Sequence, residues 1–306
     1  MLLVLAVACT TAARYTVLRF SDNRDESSWL GERRSSLPST DTTLSVPPIR
    51  TSTNDPNASA RAMVVYDVQS GYPLYEKNAH DRVPIASTTK LMTAIVTLEH
   101  FDLQDTVTVS KEAAAEIGSE MYLTTGEQIR VEDLLKGLLI KSGNDAALAL
   151  AEHGGIDHFI SLMNDTAQRL GLTDTQFRDP AGLNDEGYSS ARDLAVIATY
   201  ALRKEKVQEI VRMERAVVTA VDGSQVHELE NSNRLLRVDH PLYFQYATGL
   251  KTGFTPAAGH CLVASASQNG NTIVSVVLGT TEETAEASAK ESRKLLTWAL
   301  SSFSWE

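Results

Sequence analysis

Cysteine is almost absent from this chain, and positive charge is in deficit. The 306 residues include two cysteines, Cys9 in an apolar N-terminal run and Cys261 in a run typical of a strand. We therefore expect no stabilising disulfide. Lysine and arginine number 28 against 39 aspartates and glutamates, which gives a formal net charge of −11. A surface with that charge repels phosphate backbones, so nucleic acid is not an expected partner.

Metal-ligand patterns are missing as well. The 7 histidines form no H-E-x-x-H motif, and His153 and His158 lie five positions apart across Gly154 and Gly155, a spacing that is poor for shared ligands on a helix. The sequence therefore predicts neither a metal nor another cofactor.

The apolar run at the N-terminus is too short to cross a bilayer as a helix. Residues 1–13 resemble the core and cleavage region of a secretory signal, since Thr-Ala-Ala at 11–13 meets the small-x-small rule. A second interpretation takes residues 6–9, Ala-Val-Ala-Cys, as a loose lipoprotein box with a lipidated Cys9. Both interpretations predict a signal or membrane-targeting segment over residues 1–20.

A polar stretch follows this segment. Residues 21–57 are rich in Ser, Thr, Asn, Asp and Pro, and they cannot bury enough apolar surface to offset their ordering entropy. We predict a linker there, either a spacer from a membrane or export site or a tail without a role. Residues 58–306 then form the predicted catalytic domain, and the 42% hydrophobic content of the chain is that of a globular protein with a core.

Predicted strands come from both ends of this domain, and predicted helices come from its middle. The strands are 61–68 and 72–76, which form a hairpin, and 216–221, 260–267 and 272–279. The helices are 87–100, 131–140, 144–153, 156–170 and 190–204, with a closing helix over 281–300. This order predicts an α+β fold with an antiparallel sheet flanked by helices, an inserted all-helical lobe, and an active site in the cleft between them.

A Ser-Thr-Thr-Lys motif begins an apolar helix. Its i, i+3 spacing sets Ser87 and Lys90 on one face. Burial disfavours the charged form of a lysine, which makes Lys90 a credible base, and a serine nucleophile needs such a base beside it. The alternative is a lysine at a helix end that forms a surface ion pair.

A Ser-Gly-Asn motif lies between two apolar helices. It fits a helix that ends at Gly143 and a second helix capped by Asn144 or Asp145. A polar turn at this place can also direct Ser142 and Asn144 into a cleft. The hydroxyl of Ser142 could then relay a proton, and the amide of Asn144 could hold a substrate carbonyl.

A Lys-Thr-Gly motif precedes the two best strand runs. Gly253 inside a strand marks a place where another backbone approaches closely, and a peptide substrate can add along that edge. Lys251 and Thr252 would then offer a cation and a hydroxyl to a carboxylate, while the N–H groups of Phe254 and Ser87 would form an oxyanion hole. The alternative is an ordinary hairpin with an exposed lysine.

Together, the three motifs resemble those of the penicillin-binding and serine β-lactamase superfamily. The similarity is closest to the low-molecular-weight D-alanyl-D-alanine carboxypeptidases. It covers about residues 58–306 and is carried by segments 86–94, 142–146, 162–164, 179–183, 231–236 and 249–255.

The resemblance implies a β-lactamase/transpeptidase-like fold and a serine-type carboxypeptidase. Such an enzyme removes the terminal D-alanine from peptidoglycan stem peptides ending in D-Ala-D-Ala. It is acylated by β-lactams, which are covalent inhibitors. It acts on the cell wall outside the cytoplasm, in the periplasm or at the cell surface, and contributes to cell shape. The implied roles are nucleophile for Ser87, base for Lys90, proton relay for Ser142, acyl-chain contact for Asn144, and carboxylate recognition for Lys251 and Thr252.

The sequence departs from the family pattern in two places. Many members continue into a β-rich domain and an amphipathic membrane helix, whereas this chain stops at Glu306, so we expect any membrane attachment only through the N-terminus. Class A β-lactamases also use Ser-Asp-Asn and a deacylating glutamate. Here Gly143 is the middle residue and Pro180 stands at the place of the glutamate, so fast β-lactam hydrolysis is not expected.

Three other functions stay open at this point. An endopeptidase acting on cross-linked peptidoglycan would use the same residues, and a serine β-lactamase remains a lesser alternative. The third is a catalytically silent peptidoglycan-binding protein. The presence of both lysines together with the serine argues against it, because converging polar groups of this kind more often serve catalysis.

Overall fold

The structure is a computed structural model that describes residues 46–305. The predicted targeting segment 1–20, the lipidation alternative at Cys9 and the linker as far as residue 45 lie outside the described residues. The helices between residues 46 and 305 include none that is both long and apolar enough to cross a membrane.

Strands and helices follow one another in the predicted order. The strands are β1 (Ile49–Arg50), β2 (Ala60–Asp67), β3 (Pro73–Lys77), β4 (Thr106–Thr108), β5 (Gln128–Arg130), β6 (Arg215–Thr219), β7 (Val226–Glu230), β8 (Ala247–Thr255), β9 (Gly259–Gln268), β10 (Asn271–Thr280) and β11 (Phe303–Ser304). The helices are α1 (Lys90–His100), α2 (Lys111–Ala114), α3 (Val131–Lys136), α4 (Asn144–Gly154), α5 (Ile156–Arg169), α6 (Ala191–Leu202), α7 (Glu205–Val211) and α8 (Ala287–Ser302).

The central sheet is antiparallel and has the strand order β3-β2-β10-β9-β8. Its middle strands are buried on both faces, which explains their nearly continuous apolar sequence. Alternate residues of β10 belong to different cores: Val274 and Val276 pack with the helical lobe, whereas Ile273 and Val277 pack with α8. Strand β8 lies at the edge of this sheet, so one side of it has no neighbouring strand among the described residues.

The helical lobe is inserted between β3 and β8, and the same region also contains the two-stranded β4–β5 and β6–β7 hairpins. Helix α5 shows how the lobe is built, because Phe159 and Met163 lie one turn apart and are buried in the same core as α1. Helix α6 begins at a cap in which Ser190 Oγ accepts a hydrogen bond of 3.1 Å from the N–H of Asp193. The carboxylate of Asp193 accepts hydrogen bonds from the preceding loop, from the N–H of Asp174 and the hydroxyl of Thr175.

Several elements differ from the sequence predictions. The predicted strand 216–221 is part of the separate β6–β7 hairpin. The predicted helix 131–140 is α3 followed by a π-helical turn, Gly137–Lys141, and the predicted helix 87–100 begins with a 3-10 turn, Ala86–Thr89, before α1. The β4–β5 hairpin was not predicted, because strands of three residues are too short to show a period of two.

The last part of the predicted linker contacts the predicted catalytic domain. Strand β1 pairs with β11, and the indole N–H of Trp298 donates a hydrogen bond of 2.6 Å to the carbonyl of Asn54. The polar composition of residues 21–57 did not predict this attachment, because the attachment depends on backbone groups and one aromatic side chain. The three-part division of the chain remains a prediction.

Candidate active site

Ser87 and Lys90 meet at the start of α1. Ser87 is partly exposed in the cleft, whereas Lys90 is completely buried, and its Nζ lies 2.8 Å from Ser87 Oγ. The 3-10 turn Ala86–Thr89 favours the predicted contact between Ser87 and Lys90, because residues i and i+3 eclipse each other in this conformation. The structure excludes the alternative of a surface ion pair for Lys90.

The ammonium of Lys90 has two further partners, and neither of them is a carboxylate. Its Nζ donates to Asn144 Oδ1 and to the carbonyl of Ala181, each at 2.8 Å. The side chain of Asn144 therefore lies inside the site. Its amide nitrogen donates a hydrogen bond of 2.6 Å to the carbonyl of Ile117. The alternative that Asn144 serves only as a helix cap is excluded.

Burial changes the proton affinity of Lys90. Desolvation lowers its pKa to about 7, although the negative charges of Asp179, Asp145 and Glu116 oppose the shift. A substantial fraction of Lys90 is therefore neutral near pH 7, so this amine can accept the proton of Ser87 Oγ.

A second lysine–serine pair joins the two lobes across the cleft. Lys251 on β8 is 1% exposed, and its Nζ lies 2.7 Å from Oγ of Ser142, which ends the π-helical turn. Ser142 has a φ of +68°, a conformation that is uncommon for a non-glycine residue and clusters at functional sites. Burial, together with the charge of Lys90, holds the pKa of Lys251 well below its usual value. The structure thus excludes an exposed lysine at this position.

The hydroxyl of Thr252 lies beside a serine to which the sequence gave no role. Ser232 Oγ is 2.7 Å from Thr252 Oγ1, and the N–H of Ser232 donates to the carbonyl of Ile140 at 3.0 Å. Ser232 lies in segment 231–236, which carried part of the family resemblance. The structure therefore adds a second hydroxyl to the predicted carboxylate-binding group.

Gly253 allows β8 to run close to the Ala86–Thr89 turn. A Cβ added at Gly253 would lie 3.1 Å from the backbone N atoms of Ser87 and Thr88. The ring of Phe254 is 55% exposed and stacks on His260 with 4.4 Å between ring centroids. These positions agree with a substrate strand along the free edge of β8. The oxyanion hole formed by the N–H groups of Ser87 and Phe254 stays a prediction.

A tight loop that sequence reasoning left without a role holds the carbonyl of Ala181. The carboxylate of Asp179 accepts hydrogen bonds from the backbone N–H groups of residues 181–184. Thr255 Oγ1 donates a hydrogen bond of 2.8 Å to the carboxylate of Asp185, and this bond links the loop to β8. The Asp-Pro-x-Gly pattern that begins at Asp179 is a turn signal, and it was the available clue.

Taken together, these groups have the composition needed for acyl transfer. A partly exposed hydroxyl lies beside a buried amine of lowered pKa, and a second hydroxyl–amine pair, Ser142 and Lys251, joins the two lobes. Nucleophile and base within hydrogen-bonding distance are typical of covalent catalysis.

Comparison with known proteins gives consistent results. A family model described as D-alanyl-D-alanine carboxypeptidase, Peptidase S11, matches residues 49–282. The chain is 38% identical over 271 residues to D-alanyl-D-alanine carboxypeptidase DacC of Escherichia coli (strain K12), covering 81% of this chain and 63% of that protein. It is 34% identical over 252 residues to DacF of Bacillus subtilis (strain 168), covering 80% of this chain and 63% of DacF. The chain thus spans less than two thirds of the length of these relatives.

A solved structure shows the same architecture. The Streptomyces K15 DD-transpeptidase superposes with a TM-score of 0.75 at 32% identity, covering 81% of this chain and 99% of that one. This similarity confirms the predicted α+β, β-lactamase/transpeptidase-like fold class.

Proposed function

The chain belongs to the Peptidase S11 family of D-alanyl-D-alanine carboxypeptidases, and we propose that it removes the terminal D-alanine from peptidoglycan stem peptides ending in D-Ala-D-Ala. The observation that carries this proposal is the 2.8 Å contact between Ser87 Oγ and the buried amine of Lys90. A hydroxyl activated in this way attacks carbonyl carbon, which is the chemistry that the reaction needs.

Acylation begins when Ser87 Oγ attacks the carbonyl of the penultimate D-alanine. Neutral Lys90 accepts the hydroxyl proton, and the N–H groups of Ser87 and Phe254 are the proposed donors to the oxyanion. The peptide C–N bond then breaks, and the leaving amine takes a proton from Ser142. Lys251 can restore that proton, since its Nζ lies 2.7 Å from Ser142 Oγ. Water subsequently hydrolyses the acyl-enzyme.

The two lysines have different tasks in this scheme. Lys251, with the hydroxyls of Thr252 and Ser232, is proposed to bind the terminal carboxylate of the substrate. The arriving negative charge raises the pKa of Lys251 and favours its charged form. Lys90 has no such ligand and can stay neutral as the base.

The proposed substrate also suggests where the protein acts. Stem peptides are cell-wall components, so we propose an extracytoplasmic enzyme, in the periplasm or at the cell surface. In this proposal, residues 1–20 are the secretory or membrane-targeting segment, any membrane attachment is through the N-terminus, and β-lactams are covalent inhibitors.

Release of D-alanine tests the function directly. The full chain is incubated with an acyl-lysyl-D-Ala-D-Ala peptide and with a matched peptide ending in D-Ala-L-Ala. We expect stoichiometric free D-alanine from the first peptide and negligible cleavage of the second. The same incubation is made with cross-linked muropeptides. Their cleavage without release of terminal D-alanine from the first peptide would support the endopeptidase instead. Binding of both peptides without cleavage would support the silent binding protein.

The lowered pKa of Lys90 predicts the pH dependence of acylation. The base must be neutral, and its pKa is about 7. The rate constant for acylation should therefore rise about tenfold per pH unit below pH 6 and level off above pH 8. The measurement is the formation of the benzylpenicillin adduct followed by intact mass between pH 5 and pH 9. A flat profile, or one that falls towards alkaline pH, would show that Lys90 is not the base.

A further inference from the structure

A cavity of about 420 Å³ opens beside the nucleophile, between α4, α5 and the loop after residue 178. Asn144 and Ala181 line it, and both accept hydrogen bonds from Lys90, whose Nζ is 2.8 Å from Ser87 Oγ. The cavity therefore begins one side chain away from the reacting hydroxyl. Its volume lies at the lower end of the range of small-ligand pockets. We refer to it as the α4–α5 cavity.

The walls of the α4–α5 cavity are apolar and fixed. Leu148, Ile156 and Ile160 line it from the two helices, and Leu183 lines it from the loop. Ile156 and Leu183 are 40% and 42% exposed, so both present apolar surface to the cavity. The four backbone N–H groups bound to the carboxylate of Asp179 hold the loop wall in place.

Two opposite charges also line this cavity. Glu116 contributes a carboxylate and Arg178 contributes a guanidinium. Neither forms an ion pair with another residue between 46 and 305, although Arg178 donates a long hydrogen bond of 3.3 Å to Gln176. Asp179 is different, because backbone donors already occupy its carboxylate.

We propose that the α4–α5 cavity binds the side chain of the residue that precedes D-Ala-D-Ala, and that it selects a side chain ending in both an ammonium and a carboxylate. Glu116 binds the ammonium, Arg178 binds the carboxylate, and the apolar walls contact the methylene chain. Adjacent residues of an extended peptide are about 3.3 Å apart, so this side chain comes within reach when the next residue is acylated on Ser87. The inference rests on the proposed carboxypeptidase function and specifies its substrate class.

Four peptides of the form acyl-X-D-Ala-D-Ala test the inference on the full chain. X is 2,6-diaminopimelate with both charges, lysine with the ammonium alone, 2-aminopimelate with the carboxylate alone, or norleucine with neither. The measurement is kcat/KM for D-alanine release. We expect the diaminopimelyl peptide to exceed each singly charged peptide by about fivefold, the upper range for a partly exposed ion pair.

Two variants assign the charges. Arg178→Gln should remove the advantage of the diaminopimelyl peptide over the lysyl peptide, and Glu116→Gln should remove its advantage over the 2-aminopimelyl peptide. Each ratio is taken within one variant, so any general effect of Glu116 on Lys90 cancels. Arg212→Gln and Glu112→Gln are matched controls, because both residues are exposed and neither lines the cavity. Both should keep the wild-type ratios.

The possible failures are distinguishable. Equal kcat/KM for all four peptides would overturn the inference and leave the carboxypeptidase intact. A preference that survives in both Arg178→Gln and Glu116→Gln would also overturn it. Absence of D-alanine release from every peptide would overturn the proposed function and this inference with it.

Discussion

Ser87→Ala should abolish acylation by benzylpenicillin and lower D-alanine release by about 10⁵-fold or more, which is the usual size of the loss when a catalytic serine is removed. Lys90 Nζ contacts Ser87 Oγ, Asn144 Oδ1 and the Ala181 carbonyl, and of these three groups only the hydroxyl can act as a nucleophile. An intact-mass time course should show one penicillin mass added to the wild type and none added to the variant. The wild-type adduct should decay slowly, because Pro180 stands where class A β-lactamases have their deacylating glutamate.

Ser224→Ala provides the control for this experiment. Ser224 is exposed in the turn between β6 and β7, so its loss should leave the adduct unchanged. An adduct on Ser87→Ala would place the nucleophile elsewhere. A wild-type adduct that disappears within the mixing time would favour a β-lactamase, and the absence of any wild-type adduct would favour the binding protein.

The sequence predicted the Ser87–Lys90 pair well because it depends on local geometry. Residues three apart on a helical turn must lie on one face, and an apolar surrounding sequence implies burial. The Ser142–Lys251 contact is different. These residues are 109 positions apart, and only the family resemblance brought them together before the fold was known. Spacing alone could not decide between a buried and an exposed Lys251.

Other parts of the site depend on tertiary contacts that leave little trace in the sequence. The Ala181 carbonyl contacts Lys90 because the Asp179 carboxylate gathers the backbone around it, and a carbonyl oxygen has no residue-specific signature. The same applies to Glu116 and Arg178, which are far apart in sequence and line one cavity only after α4, α5 and two loops have packed. The Asp-Pro-x-Gly pattern at Asp179 is typical of a turn, but such a pattern does not indicate which atoms the turn presents.

Gly182→Ala is expected to lower the acylation rate at least about 100-fold and to destabilise the fold by about 2–5 kcal/mol, the sum of left-handed backbone strain and overpacking. Gly182 has a φ of +79°, and an added Cβ would lie 1.9 Å from the carbonyl oxygen of Ala86 and 2.8 Å from Thr89 Oγ1. Backbone atoms cannot rotate away from such a clash. Either the loop moves and takes the Ala181 carbonyl from Lys90, or Ala86 moves and displaces Ser87. The measurements are denaturant unfolding and the rate of benzylpenicillin adduct formation.

Gly171→Ala separates the clash from the backbone strain. Gly171 follows α5 with a φ of +73°, and an added Cβ there would meet no atom within 4 Å. This variant should lose about 1–2 kcal/mol of unfolding free energy through the left-handed conformation alone. Its acylation rate should equal that of the wild type, because nothing near Ser87 is displaced. If Gly182→Ala were acylated as fast as Gly171→Ala, the contact between Ala181 and Lys90 would not be needed to position the base, and the loop would serve only the stability of the fold.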